Sequence, residues 1–205
     1  MNNSTERLFQ GGQPNPDMAG IPLRGPVAGE EPAADRIGDA ARLLGRPVQF
    51  IDSAGFEQEI IAASPVRSDG ALAYVTTAAK DVGQGGIDID IQFHVRNAQD
   101  RDVCSSIESY NPYFGCDVRY LEWMGNSALL IYREKHNTYV AVCDGIAAPR
   151  YVQIADAWVL QDGVLGFWKY KAAEVQRLKV PSLESIGPVS ESVAAGAGLC
   201  PPKHW

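Results

Sequence analysis

Reactive and cationic residues are scarce in this chain. Its 205 residues include four Cys, three His and 18 Lys plus Arg against 25 Asp plus Glu, for a net charge of -7. Lys and Arg form no run longer than two, and a phosphate-tracking surface depends on clustered cations, so no nucleic-acid partner is expected. There is no Cys-x-x-Cys pair and no His-Glu-x-x-His, which removes the commonest zinc patterns. The Gly-x-Ser-x-Gly elbow of hydrolases is missing. The glycines within 82–87 have neither the spacing nor the lysine of a phosphate-cradling loop. No cofactor is therefore implied. Long apolar runs are missing as well: 128–132 and 60–63 fall far short of the ~20 residues a membrane helix needs, so no membrane span is expected. The opening MNNSTERLFQGGQPNPD has no basic stretch followed by an apolar core, so a secretory leader is not expected and the cytoplasm is the expected compartment.

Cys104, Cys116, Cys143 and Cys200 are even in number, yet free thiols are the favoured reading. In an up-down-up meander Cys116 opens the first strand and Cys143 closes the third. The two then lie about 20 Å apart at ~3.3 Å per residue, too far to bridge. A Cys104–Cys200 pair stays open.

What the chain does have is hydrophobic alternation. Residues 117–124, 128–134 and 138–143 read as three consecutive strands, rich in β-branched and aromatic residues and joined by Gly125-Asn126 and by Lys135-His136-Asn137. A two-residue turn at Gly125-Asn126 sets Trp123 opposite Ala128, Leu121 opposite Leu130 and Arg119 opposite Tyr132. Val118, Tyr120, Met124, Leu129 and Ile131 take the other side. Both faces are apolar in the middle, so this hairpin is expected to be covered on both.

Residues 1–31 hold four Pro, five Gly and few large apolar side chains, which predicts a flexible N-terminal arm. Within 32–44, Ile37, Ala40, Ala41 and Leu44 recur at helical spacing, with Pro32 suited to the first turn and Gly45 just past the end. One short amphipathic helix follows. Strands are expected at 48–51, 58–62 and 71–77, then a Gly-rich connector at 80–86. IDIDIQFHV at 87–95 alternates without fault, implying one buried and one wet side. Residues 97–112 read as a long polar loop. Beyond the meander, 151–160 and 164–170 form a hairpin across Gln161-Asp162-Gly163, 174–180 reads as a last strand, and 181–205 as an extended C-terminal tail. Residues 68–75, 161–168 and 126–132 share a turn-then-apolar-strand character, which hairpin chemistry explains without true repetition.

These elements predict a mainly β chain: a single β-rich domain at 32–180, built as an antiparallel sandwich or twisted sheet assembly with one short N-terminal helix. Propeller-like blades are the alternative. A complete propeller at ~40 residues per blade would use almost the whole chain.

Candidate chemistry is sparse. Strand periodicity puts Asp88, Asp90 and His94 on one side with Gln92 between, a set that could hold a divalent ion if a neighbouring strand added a carboxylate. Alternate side chains are about 7 Å apart, so a solvated polar face is favoured. Glu122, in the apolar hairpin, is the best site for a raised carboxyl pKa, and an ion pair with Arg133 is the favoured, structural account. Asp117 near Glu134 would be an exposed like-charge pair. A Cys116–His136 dyad is conceivable at one end of the meander, although a buried strand-end cysteine beside a turn histidine is commoner. The aromatics Tyr110, Tyr113 and Phe114, with Trp205 in the tail, are candidates for an interface.

The reading that follows is a non-enzymatic module acting by protein–protein contact, a subunit of a larger assembly that engages partners through its terminal arms. A small hydrolase or metal-dependent enzyme using the Asp/His strand face or the Glu122 region is the alternative. A carbohydrate or small-ligand module is the third, and it requires an open platform among Trp123, Trp158 and Trp168.

Overall fold

A computed structural model describes residues 34–83, 86–110, 116–134, 137–154, 158–161, 163–168 and 174–190. They fall into two compact units, divided between Tyr151 and Val152. Both are built of antiparallel sheets, and one helix occurs among the described residues.

Helix α1, Ala34–Leu44, has Asp35 in its first turn and Arg42 in its last, each complementing the local end of the helix dipole. It stops as its sequence predicts. Gly45 takes φ +63°, its N–H bonds the Arg42 carbonyl, and the Arg46 N–H reaches back to the Ala41 carbonyl, a Schellman closure that needs a residue at ease in the left-handed region. Ala40 and Ala41 are buried against Ile60, Ala63, Leu72 and Tyr74 of the sheet beneath, with Ile37 and Leu44 flanking them.

That sheet is a meander in chain order: β1 Gln49–Ile51, β2 Glu57–Ala63, β3 Leu72–Gly83, β4 Gly86–Arg96 and β5 Asp102–Tyr110. Two sequence expectations change here. The Gly-rich connector at 80–86 is strand on both sides of residues 84–85, because Lys80 pairs with Asp88 and Asp81 with Ile87 across the hairpin. A strongly alternating partner strand recruits residues whose own propensity is low. The expected loop at 97–112 contains β5. The Asn97 side-chain oxygen accepts the N–H groups of Gln99 and Arg101, and Asp100 takes φ 63°, so the chain reverses within five residues and Val103 meets Val95.

Ile91, Phe93 and Val95 of β4 join Val75 and Ala62 in a core that faces a second sheet. This sheet is β6 Cys116–Met124, β7 Ser127–Glu134, β8 Asn137–Cys143 and β9 Arg150–Ile154, the unit boundary falling inside β9. Leu121, Ala128, Leu130, Tyr132, Ala141 and Cys143 supply its half of the core. Leu129 and Ile131, on the opposite side of β7, are also fully buried, so the doubly covered hairpin is present. The first unit is thus a sandwich of two meanders with α1 on the far face of the five-stranded sheet. A helix in that place closes the stack, where a propeller would require another blade.

Register in β6–β7 follows expectation only near the turn. Trp123 faces Ala128 and Leu121 faces Leu130, but a bulge at Arg119 puts Val118, not Arg119, opposite Tyr132. One extra residue moves Val118 to the core face and slides every later pair by one. Asp117 therefore lies opposite Arg133 rather than Glu134. The expected like-charge pair becomes an opposite-charge one.

In the second unit β10 Trp158–Gln161, β11 Val164–Trp168 and β12 Glu174–Lys179 pair in sequence, with Gly163 at φ +74° in the first turn. The strand expected over 151–160 is two strands in two sheets, separated by Ala155-Asp156-Ala157, a stretch of low β propensity. Part of the expected tail is also strand: β13 Glu184–Ser185 and β14 Val189–Ser190 both bond β12. The Arg177 guanidinium binds the carbonyls of Gly187 and Ile186, an anchor a polar, Pro-rich stretch does not advertise.

Candidate functional site

The densest constellation of chemically capable side chains lies on the helix side of the five-stranded sheet, where β3, β4 and β5 run side by side. Alternation puts Tyr74 and Thr76 on one face of β3. His94 sits directly opposite Tyr74 on β4, and Asp102 opens β5 opposite Arg96. The Tyr74 and His94 rings stack with centroids 4.4 Å apart and planes 4° from parallel. Thr76 Oγ1 is 3.0 Å from His94 Nε2, and the Tyr74 hydroxyl donates to Asp102 Oδ2 at 2.9 Å. His94 Nδ1 faces that same carboxylate oxygen at 3.5 Å. A carboxylate at Nδ1 favours the proton there, leaving Nε2 to accept from the Thr76 hydroxyl.

Burial pushes the Asp102 carboxyl up. The His94 hydrogen bond and charge, the Tyr74 hydroxyl and the more distant charge of Arg46 together outweigh it, so the group ends below the ordinary carboxylate value. The order hydroxyl, imidazole, carboxylate is that of a nucleophile–base–orienter relay. Access argues against using it so, because Tyr74 and Thr76 are each only 1% exposed while Asp102 is the open end. A nucleophile must touch its substrate; here the hydroxyl is the most enclosed member. The arrangement as it stands ties three strands together through polar contacts.

Of the candidates expected from sequence, His94 is the one the structure brings into this cluster. Asp90 is buried four residues away on the same strand, roughly 13 Å at ~3.3 Å per residue, opposite Ala78 and Ser109. Asp88 lies opposite Lys80, and its side chain is outside the described residues. The expected wet side of β4 is therefore largely enclosed at Asp90 and His94. Among the described residues no three His, Cys, Asp or Glu side chains come together as metal ligands.

Glu122 pairs not with Arg133 but with Arg36 of α1 at 2.6 Å, a cation 86 positions away in the chain that the helix brings to it. Arg119 itself pairs with Asp117 at 2.6 Å. Cys116 lies opposite Glu134, at the end of β7 away from Cys143, which pairs with Ala128. The side chains of Cys104 and Cys116, and all of Cys200 and His136, lie outside the described residues, as do Tyr113, Phe114 and Trp205. Tyr110 closes β5 opposite Ile89. Cys143 is a free, buried thiol, its pKa raised first by burial.

The three described tryptophans offer no open platform. Trp158 and Trp168 are buried, and Trp123 packs on the core with Arg67 4.6 Å above its ring and its indole N–H on the Pro65 carbonyl at 2.9 Å.

A different kind of surface occurs at the opposite margin of the same sheet. β1 is an edge strand, and Ile51 on it is 70% exposed, with Phe56 exposed in the adjoining turn. The turn is held by Asp52, whose Oδ1 accepts the N–H groups of Ala54 and Phe56 and whose Oδ2 accepts the Gln58 amide. Beside it a cleft of about 440 Å³ is lined by Gln49, Ile51, Glu57, Glu59, Thr77 and Ile89, with Phe50 and Gln58 completing it.

Sequence reasoning missed Tyr74, Thr76 and Asp102. Asp102 was hidden by the loop expectation, and the Asn97–Asp100 turn chemistry was the signal that could have exposed β5. Comparison with protein-family models, with curated proteins and with solved structures finds no match to this chain.

Proposed function

We propose that this chain is a structural or interaction module that works by contact with other proteins, as a subunit of a larger assembly. The observation that carries the reading is the β1 margin, where an apolar side chain 70% exposed stands on a sheet edge beside a cleft. An exposed apolar group on an edge that no described strand pairs is the kind of surface that partner chains cover. Ile146, 64% exposed in the turn after β8, adds a second apolar projection. The Tyr74–Thr76–His94–Asp102 cluster supports the same reading, because its hydroxyls bond within the cluster and are almost fully buried. The test is native mass: in an extract of its own cells, after mild crosslinking, the chain should run well above its 22.2 kDa. Migration as a monomer throughout would end the proposal.

One observation favours a second reading, a small hydrolase: the Thr76–His94–Asp102 connectivity itself. A panel of activated esters, read for wild type against Asp102→Asn, decides it. Equal rates would remove that reading.

A further inference from the structure

The geometry points to β1 as an acceptor for one added strand, and we propose that its occupant is an extended segment of a partner protein carrying Lys or Arg at alternate positions. The inference rests on the contact reading above and names the surface and partner chemistry.

Backbone direction comes first. The Ile60 N–H bonds the Val48 carbonyl and the Asp52 N–H bonds the Phe56 carbonyl. In an antiparallel pair inward-bonding residues alternate, so Val48, Phe50 and Asp52 turn their backbone groups toward β2, while Gln49 and Ile51 turn theirs outward. The outward set is two N–H groups and two carbonyls at a two-residue spacing, which is what a docking strand pairs with.

Short edge strands also serve simply to discourage unwanted pairing. Such guarded edges carry Lys, Pro or an inward charge. Within Gln49-Phe50-Ile51 there is none, and one of the two outward residues is instead an exposed isoleucine.

Side-chain chemistry then selects the partner. Gln49 pairs with Glu59 and Ile51 with Glu57, so both carboxylates share the face of the outward residues, and they line the cleft of about 440 Å³. No Lys or Arg is among the described residues lining it. A docked strand with alternate basic side chains lays them across this acidic face and sets the residues between them on the side of Phe50. A second copy of this chain fits worse, since its edge would bring no cation to this acidic face and would add its own Glu57 and Glu59 three strand spacings, about 14 Å, away, in a protein of net charge -7.

The test uses the full chain and a fluorescein-labelled heptapeptide alternating Val and Lys, read by anisotropy. Saturable binding is expected, weaker by about tenfold for the Glu57→Lys/Glu59→Lys chain, both positions being exposed. Binding should be lost for the Ile51→Pro chain, whose missing N–H is an outward one. A peptide of the same charge with alternate backbone nitrogens methylated should fail on the unaltered chain, a control that does not depend on any variant folding. Equal binding of the methylated peptide, equal binding by Ile51→Pro, or no binding overturns strand addition. So does a dimer in light scattering that Ile51→Pro dissolves, since the edge would then belong to a second copy. If the chain still migrates within a large native assembly while the peptide fails, the contact reading survives and only this surface is wrong.

Discussion

The two margins of the five-stranded sheet solve the same problem in opposite ways. Toward β5, polar side chains close on one another: Tyr74 on Asp102, Thr76 on His94, with the β3 members almost fully buried. Toward β1, backbone groups and an isoleucine face outward. The difference teaches that chemical capability and availability are separate properties. The residues with the most capable chemistry face one another across three strands, whereas the β1 margin exposes an apolar side chain with little reactive chemistry beside it.

Substitution should separate the sheet interior from the β1 margin most sharply at apolar residues. Phe93→Ala, fully buried in the sandwich core, is expected to cost about 3–5 kcal/mol in a urea melt. Ile51→Ala should stay within about 0.5 kcal/mol. Comparable losses at the two sites would erase the contrast. Next in size is Gly145→Ala. Gly145 sits at φ +74° where the chain leaves β8, its carbonyl takes the Asn97 amide, and a Cβ there would lie 3.1 Å from Val95 Cγ1. A loss of about 1–3 kcal/mol is expected, and an unchanged melting curve would show that this turn is not fixed by its contacts with Val95 and Asn97.

Tyr74→Phe keeps the ring stack and removes only the hydroxyl bond to Asp102, so about 1–2 kcal/mol should be lost. An unchanged melt would mean that Asp102 is held by His94 alone. The smallest effect is acid sensitivity. Asp102 and Asp69 are both below their ordinary value when folded, so the stability they contribute is present above the unfolded value and disappears as pH falls through the folded one. For Asp69, held down first by its Arg67 hydrogen bond and then by the Ala71 N–H, that window runs from 3.8 to about 2. Melting temperature should fall across it, and Asp69→Asn should flatten the slope. A slope that the substitution leaves intact would move the acid response to other carboxylates.

Much of the architecture was legible because it is written locally. The faultless alternation of 87–95 announced β4 and its core face. Gly45 and Gly125 marked the helix end and the hairpin turn, and Trp123, Ala128, Leu121 and Leu130 paired as their spacing required. The site was less legible. His94 was singled out, but with Asp88 and Asp90 as companions, since only its own strand was in view; its contacts come from β3 and β5. Glu122 was expected to meet a cation, and the cation that meets it is 86 positions away on α1.

By itself, the sequence determined which residues prefer strands, where the chain reverses and which side chains must leave water, because those preferences depend on a few neighbouring residues. Tertiary structure alone decided the bulge at Arg119, the existence of β5, and the partners of His94 and Glu122. Each of those is settled by a strand or helix arriving from far along the chain, and no local pattern can specify what arrives.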